Sequence, residues 1–566
     1  MRWIYKFHPE PQAIDSLRNS LGVDRITATL LLQRGISDFD QARDFFRPNL
    51  DQLHSPFLMK GMENAIDRII KALELGQRIM IYGDYDVDGT TAVSLVYQFL
   101  SKQTSKIEYY IPDRYSEGYG ISFKGIDVAE EHQVNLIIAL DCGIRSIDKV
   151  EYAKNKGIDF IIADHHLPGS QIPDAIAVLD PKQSDCPYPF KELCGCGIGF
   201  KICQALCTRL HLPLSEVYEY LDLVAVSIGA DIVPIVGENR ILAYFGLEKI
   251  NTNPGVGIRT ILQFNKIKKK LTISDVVFII APRINAAGRI EHGSNAVKLL
   301  ISPNELSAES FNQVIHYNNI ERKSLDSIIT QEALELIRTD ESLQNSKSTV
   351  VYSENWHKGV VGIVASRLIE KYYRPTIVLT ESNGKATGSA RSVKDFDVHE
   401  AIQACSDLLE QFGGHKYAAG LTLKIENIDA FRSKFESVVR SSITDEMLIP
   451  SQEIDLGIQL EEITPKLLRI LPQIGPFGPG NMQPVFVTRS VLDTGHAKIV
   501  GETHLKLAIQ SSQNPELVFP CIFFKGWEHL PQIQTGKPFD IAFCIEENEY
   551  NGQVSIQLNI KDIQYA

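Results

Sequence analysis

The sequence predicts an α/β fold: a parallel-sheet domain, a connecting helix, a smaller α/β domain and a C-terminal β-barrel of the OB type. Three observations carry this expectation. Short, fully apolar segments alternate with helical ones between residues 61 and 163, the pattern of a parallel sheet covered on both faces. Those segments end in Asp or His, where such sheets bind ligands. Beyond residue 450 the pattern changes to about five short strands, as in a small Greek-key barrel.

Composition bounds the rest. A chain of 566 residues has room for roughly three or four domains. The net charge of -13 counts mildly against a nucleic-acid partner, although metal-ligand carboxylates inflate it. Nine scattered Cys, an odd number, suit a reducing cytoplasm better than a disulfide framework. No apolar run reaches the roughly 18 residues of a membrane span, and the N-terminus MRWIYKFHPEPQ lacks an apolar signal core. The expected location is cytoplasmic, with no membrane partner.

Residues 1–55 read as a helical N-terminal segment, with helices near Ile26–Arg34 and Asp38–Phe46 closed by Gly35 and Arg47-Pro48. Residues 56–303 hold the parallel sheet. The strand Ile79–Tyr82 runs into Asp84, Asp86 and Asp88; Gly89 then turns the chain, and Thr90 or Thr91 caps a helix to Leu100. Three carboxylates in one turn repel unless a cation lies between them, so the stretch reads as a divalent-metal site rather than a solvated acidic turn. Leu136–Leu140 is followed by Asp141, Phe160–Ala163 by Asp164-His165-His166, and an apolar helix or strand, Leu221–Ile228, by Gly229-Ala230-Asp231. Four such deliveries to one sheet edge are hard to obtain by chance. Asp and His without Cys favour Mn²⁺ or Mg²⁺ over structural zinc. A carboxylate such as Asp141 can bridge two cations, the arrangement that hydrolyses phosphoesters. His165 is the imidazole ligand, and His166 a supporting partner or a donor to phosphate. Cys194, Cys196, Cys203 and Cys207 lack paired CxxC spacing and read as core rather than a zinc knuckle.

Arg283 and Arg289 lie among small residues, and guanidinium grips phosphate bidentately. Residues 304–340 read as a connecting helix, continuous or broken, between two lobes. Residues 341–445 form the second α/β unit, with Trp356, His357, Ser389, Arg391, Ser392, Gly413, Gly414 and His415 as candidate substrate contacts; the paired glycines allow close backbone approach. Residues 446–566 form the barrel, with Asn551-Gly552 as a hairpin turn. Phe523, Phe524, Lys525 and Trp527 are candidates for stacking on a single strand.

Four stretches, GDYDVDG, the lone Asp141, ADHH (163–166) and GAD (229–231), resemble the signature motifs of the DHH phosphoesterases. APRINAAGR (281–289), WHKGVVGIVASRL (356–368), GSARS (388–392), GGHKYAAG (413–420) and GPFGPGNMQPVF (475–486) are similar to the single-strand-specific exonuclease branch. The resemblance covers nearly the whole chain. It implies a DHH catalytic domain, a DHH-associated domain, and 5′-to-3′ hydrolysis of single-stranded DNA to 5′-mononucleotides with two Mn²⁺ or Mg²⁺ ions, in DNA repair and recombination. It also implies Asp84 or Asp86 with Asp141 at one ion, and Asp88, Asp141, His165 and Asp231 at the other. His166, Arg283 and Arg289 would stabilise the developing charge. Implied partners are single-stranded DNA, a single-strand-binding protein and a helicase, with the chain a monomer. Two competing readings are a phosphodiesterase for short oligonucleotides or cyclic dinucleotides and a non-catalytic DNA-binding scaffold.

Overall fold

The computed structural model describes residues 1–511, 514–550 and 553–565. It divides into two compact units, residues 50–448 and residues 1–49 with 449–566. No helix among the described residues is long and apolar enough to cross a membrane.

The larger unit opens on a five-stranded sheet, β1 (Ile79–Gly83), β2 (Ile107–Tyr110), β3 (Leu136–Leu140), β4 (Asp159–Ala163) and β5 (Ala177–Leu179), in the order 2-1-3-4-5. Every pairing is parallel. Side chains alternate between faces along each strand. Accordingly Ile79, Ile81, Leu136, Ile138 and Ile161 enter one core, while Met80, Tyr82, Ile137, Ala139 and Ile162 enter the other. Burial on both faces is why these strands read as unbroken apolar runs. Gly83 pairs with Leu140, and Leu140 with Ala163, so the strands end level. In this strand order the ligand crevice falls between the carboxyl ends of β1 and β3. Asp84 and Asp141 are the residues that follow those two ends.

The structure corrects the start and cap of the helix after β1 and the role of Gly89, and it settles two points that the sequence left open. The helix after β1 is α1 (Val87–Ser101), starting well before Thr91. Its cap is Asp86, whose side chain accepts from the Gly89 amide, not Thr90 or Thr91. Gly89 lies within that helix and does not turn the chain; glycine is needed there because a Cβ would sit 2.5 Å from the Asp84 carbonyl oxygen. The segment before Asp231 is a helix, α3 (Leu221–Ala230), so three strands and one helix end deliver the acidic and His residues. The connecting helix is unbroken over Glu305–Thr339, 35 residues.

The second sheet of this unit is mixed: Gln411–His415, Ala418–Leu423, Lys385–Arg391, Thr376–Ser382 and Thr349–Ser353, in that order, with only the last pair parallel. Gly413, Gly414 and His415 therefore lie on its edge strand.

In the smaller unit a closed five-stranded barrel forms from Phe486–Asp493, Phe539–Tyr550, Gln553–Tyr565, Val518–Phe523 and His504–Ser511, the last pairing back on the first. The expected Asn551-Gly552 turn lies outside the described residues. The N-terminal segment is not only helical: Arg2–Tyr5 is a strand pairing parallel with Ser451–Ile454. The two helices expected there form as Arg25–Leu32 and Phe39–Phe46, capped by Asp24 and Asp38. Phe524 and Trp527 are about half exposed, whereas Phe523 packs against the barrel core.

Candidate active site

The strand ends and two helix ends converge on one acidic cluster. Asp88 sits in the first turn of α1, buried, and takes three donors: the amides of Gly195 (2.6 Å) and Cys196 (2.7 Å) and the Ser227 hydroxyl (2.6 Å). Those amides open the helix α2 (Gly195–Arg209), so its positive end faces the Asp88 carboxylate. A Cβ on Gly195 would lie 2.6 Å from the Asp141 Cβ, so glycine is required for this approach.

Asp141 has φ +59°, a left-handed conformation uncommon outside glycine. It is fully buried, yet neither carboxylate oxygen has a hydrogen-bond partner. Both ring nitrogens of buried His165 are likewise without one. The His165 Nε2 lies 3.1 Å from Asp141 Oδ1, 3.5 Å from Asp231 Oδ2 and 3.6 Å from Asp88 Oδ2. Asp141, His165 and His166, and likewise Asp88, His165 and Asp231, bring ligand atoms within 4.8 Å of one another. Buried polar atoms are normally satisfied. The unpartnered Asp141 oxygens, with His165 Nε2 lying among three carboxylates, fit a hard, oxygen-loving cation, and this donor set lacks sulfur.

The electrostatics agree. Burial, then repulsion from neighbouring carboxylates, pushes Asp141 and Asp86 above the usual carboxylate range. The same causes in the same order raise Asp231 to about 8. Asp84 is raised by burial and by Asp86; its Oδ1 accepts from the Gly120 amide, while Oδ2 is a further buried orphan. His165 is lowered, first by burial, which keeps the imidazole neutral and able to ligate.

His166 is different. Its Nδ1 lies 2.7 Å from Asp164 Oδ1, and Asp164 also accepts from the amides of Ile144, His165 and His166. Burial opposes charge on both, but their mutual hydrogen bond outweighs it: His166 rises to about 9 and Asp164 falls to about 2. His166 is thus a cation, with Nε2 3.3 Å from the Tyr119 hydroxyl.

One flank of the cluster carries guanidiniums. Arg289 donates to the Gly359 carbonyl (3.0 Å) and Arg391 to Ser389 Oγ (2.9 Å) and the Ala390 carbonyl. Arg114 stacks over the Tyr85 ring, 4.9 Å from its centroid. Burial, then Arg114 and Arg391, lowers Arg289 to about 10. None of the three forms an ion pair with a carboxylate among the described residues. Crowded cations without a counterion mark an anion site.

The remaining expectations divide. Arg283 is not part of this flank: its guanidinium is held by the Ile279 carbonyl and Asn265 Oδ1. Six positions along a helix turn it to another face than Arg289. Trp356 is buried in an apolar cluster, and its indole donates to Glu332, so its role is packing. Ser392 is tied to the Phe396 carbonyl. His357 accepts from the Gly359 amide and meets the Tyr115 ring edge-on. Gly413 and His415 are exposed, and His415 lines a cavity with His165, His166 and Asp231. All nine Cys are buried and free, as core residues are. Sequence reasoning missed Ser227, Gly195, Tyr119 and Arg114, and it placed Asp164 at the sheet edge without a role of its own.

Residues 78–228 match the family model described as DHH family, N-terminal domain, residues 345–441 the DHHA1 domain, and residues 454–562 the RecJ OB domain. Fold and site together define a DHH-family protein. The chain is 38% identical over 566 residues to the single-stranded-DNA-specific exonuclease RecJ of Bacillus subtilis, covering 99% of this chain and 70% of that one. It superposes on the crystal structure of Thermus thermophilus RecJ with Mn²⁺ at TM-score 0.86 and 27% identity, covering 100% of this chain and 80% of that one. The Mg²⁺ complex of the same protein gives TM-score 0.79 and 26% identity, covering 100% and 78%. The chain belongs to the RecJ family.

Proposed function

We propose that this chain is a metal-dependent, single-stranded-DNA-specific 5′-to-3′ exonuclease that releases 5′-mononucleotides, serving DNA repair and recombination. The observation that carries the reading is the group of orphaned ligand atoms on Asp141 and His165 at the switch point of the sheet. Asp86, Asp88, Asp141, His165 and Asp231 would hold two Mn²⁺ or Mg²⁺ ions, Asp88 toward one and Asp86 toward the other. Asp84 shapes the turn from behind through the Gly120 amide. When bound, such a pair supplies charge stabilisation to the attacking and leaving oxygens of a phosphodiester.

The chain's own groups do the rest. His166, kept protonated by Asp164, donates to a non-bridging phosphate oxygen, where negative charge grows. Arg114, Arg289 and Arg391 grip the terminal 5′-phosphate and fix the scissile linkage over the cluster. Ser227 and the start of α2 orient Asp88. The reading extends to a single-strand-binding protein and a helicase as partners, supported by the family resemblance, to a monomeric state, and to a cytoplasmic location, supported by the scattered Cys.

The test is release of mononucleotides from 5′-phosphorylated single-stranded DNA with Mn²⁺. Wild type should release them and Asp141→Ala should not, while retaining its fold. Wild-type-like release by that variant would overturn the mechanism.

A further inference from the structure

The acidic cluster has two unlike flanks. On the Asp84–Asp86 side lie Arg114, Arg289 and Arg391, with Arg289 pressed against the Gly359 carbonyl. That side is tight and rich in charge, suited to a terminal phosphate dianion. On the Asp231–His165 side the site opens into a cavity of about 710 Å³. Small-ligand pockets span about 300–1,000 Å³, so a nucleotide fits there.

The cavity wall has the make-up of a nucleotide subsite. Lys182 supplies an ammonium that has only one loose partner among the described residues, Glu192 at 3.6 Å. Lys182 lines the same cavity as His165, Asp231 and His415. Ile232, Val233 and Pro234 supply apolar surface directly after Asp231. Ile232 is 66% exposed and has φ +61°, a strained conformation for a β-branched residue. Backbone strain that holds an apolar side chain out at a site mouth is characteristic of functional positions. The edge strand brings His415 to the same cavity.

We infer that this cavity receives the nucleotide 3′ of the scissile linkage, with Lys182 contacting the next phosphate along the strand and Ile232 supporting its sugar and base. The inference rests on the exonuclease reading and gives the strand a direction: the 5′ end stops at the arginines, and the remainder leaves past Lys182. It also separates two kinds of contact. The arginines act on every substrate with a 5′-phosphate, whereas Lys182 acts only where a second phosphate follows.

The experiment is a two-way cycle with the full-length protein and Mn²⁺. The substrates are 5′-phosphorylated single-stranded pentanucleotides with a neutral methylphosphonate at the second or the fourth internucleotide linkage. For wild type, neutralising the second linkage should raise KM about tenfold, the worth of one charged contact to phosphate. Neutralising the fourth should change it little. Lys182→Met should raise KM by a similar factor on the unmodified strand, with kcat largely retained. The methylphosphonate at the second linkage should then add nothing further. Lys182→Arg should restore the wild-type pattern, and the salt slope of binding should fall by about one in Lys182→Met. Additive penalties in Lys182→Met, or equal sensitivity at both linkages, would overturn the assignment while leaving the exonuclease reading intact. Failure of wild type to cleave the unmodified pentanucleotide would instead count against that reading itself.

Discussion

Asp141 carries opposite demands on a single residue. Its left-handed backbone and its two unpartnered buried oxygens both cost stability in the metal-free protein. Asn tolerates the left-handed region and carries no charge. Asp141→Asn should therefore abolish nuclease activity and raise the melting temperature of the metal-free protein by a few degrees, read by calorimetry in chelator. A lowered melting temperature would contradict this account of the strain. Ser227 gives a complementary case. It contributes one of three hydrogen bonds that orient Asp88. Ser227→Ala should weaken Mn²⁺ affinity about 10–100-fold, the usual worth of a group that orients a ligand. Isothermal titration would measure it, and unchanged affinity would remove Ser227 from the site. At this scale the sequence showed the ligands because Asp and His stand directly after apolar strands. It hid Ser227, whose partner lies 139 positions away, since nothing local marks a serine within an apolar helix.

The elements that hold these residues were legible to differing degrees. The parallel strands were plain, because burial on both faces leaves an uninterrupted apolar run. Helix starts were less so: Asp86 takes the capping role that Thr90 or Thr91 was expected to fill, since its side chain reaches the Gly89 amide. The secondary structure before Asp231 stayed open in the sequence because a short, wholly apolar segment has no period to read. Packing between elements was not legible at all. The approach of α2 to Asp141 depends on the missing side chain at Gly195, one glycine among 38. Gly195→Ala would place a methyl group 2.6 Å from the Asp141 Cβ and displace one or the other. Nuclease activity should drop at least tenfold with the helix content unchanged by circular dichroism. Full activity would show that α2 has slack there.

Across the whole molecule, the cluster links stability to pH and metal. Asp231 holds its proton up to about pH 8, whereas an unfolded Asp releases it near pH 4. Between those values the folded state binds more protons, so the metal-free protein loses stability as pH rises. His166 acts in the same direction: raised to about 9, it contributes stability below about pH 6.5 that is lost as pH passes through 9. Asp164, lowered to about 2, acts only in acid: its contribution is present above about pH 4 and disappears as pH falls through 2. Mn²⁺ offsets the carboxylate repulsion, and saturation at 100 times its Kd adds about 2.7 kcal/mol. The rise in melting temperature caused by Mn²⁺ should therefore be larger at pH 8 than at pH 5.5. An equal or larger rise at pH 5.5 would contradict the protonation scheme. The barrel and the second α/β unit were both foreseen from strand patterning. The pairing of Arg2–Tyr5 with Ser451–Ile454 was not, since a contact between chain positions so far apart leaves no local trace.

The central claim is that the chain removes nucleotides from the 5′ end of a single strand at the Asp141 cluster. The most direct measurement uses single- and double-stranded DNA with one end blocked at a time, in Mn²⁺, following release of mononucleotides. The account predicts release from single strands with a free 5′ end, none when that end is blocked, little from blunt duplex, and none from any substrate with Asp141→Ala. Release that continues with the 5′ end blocked and stops with the 3′ end blocked would contradict it.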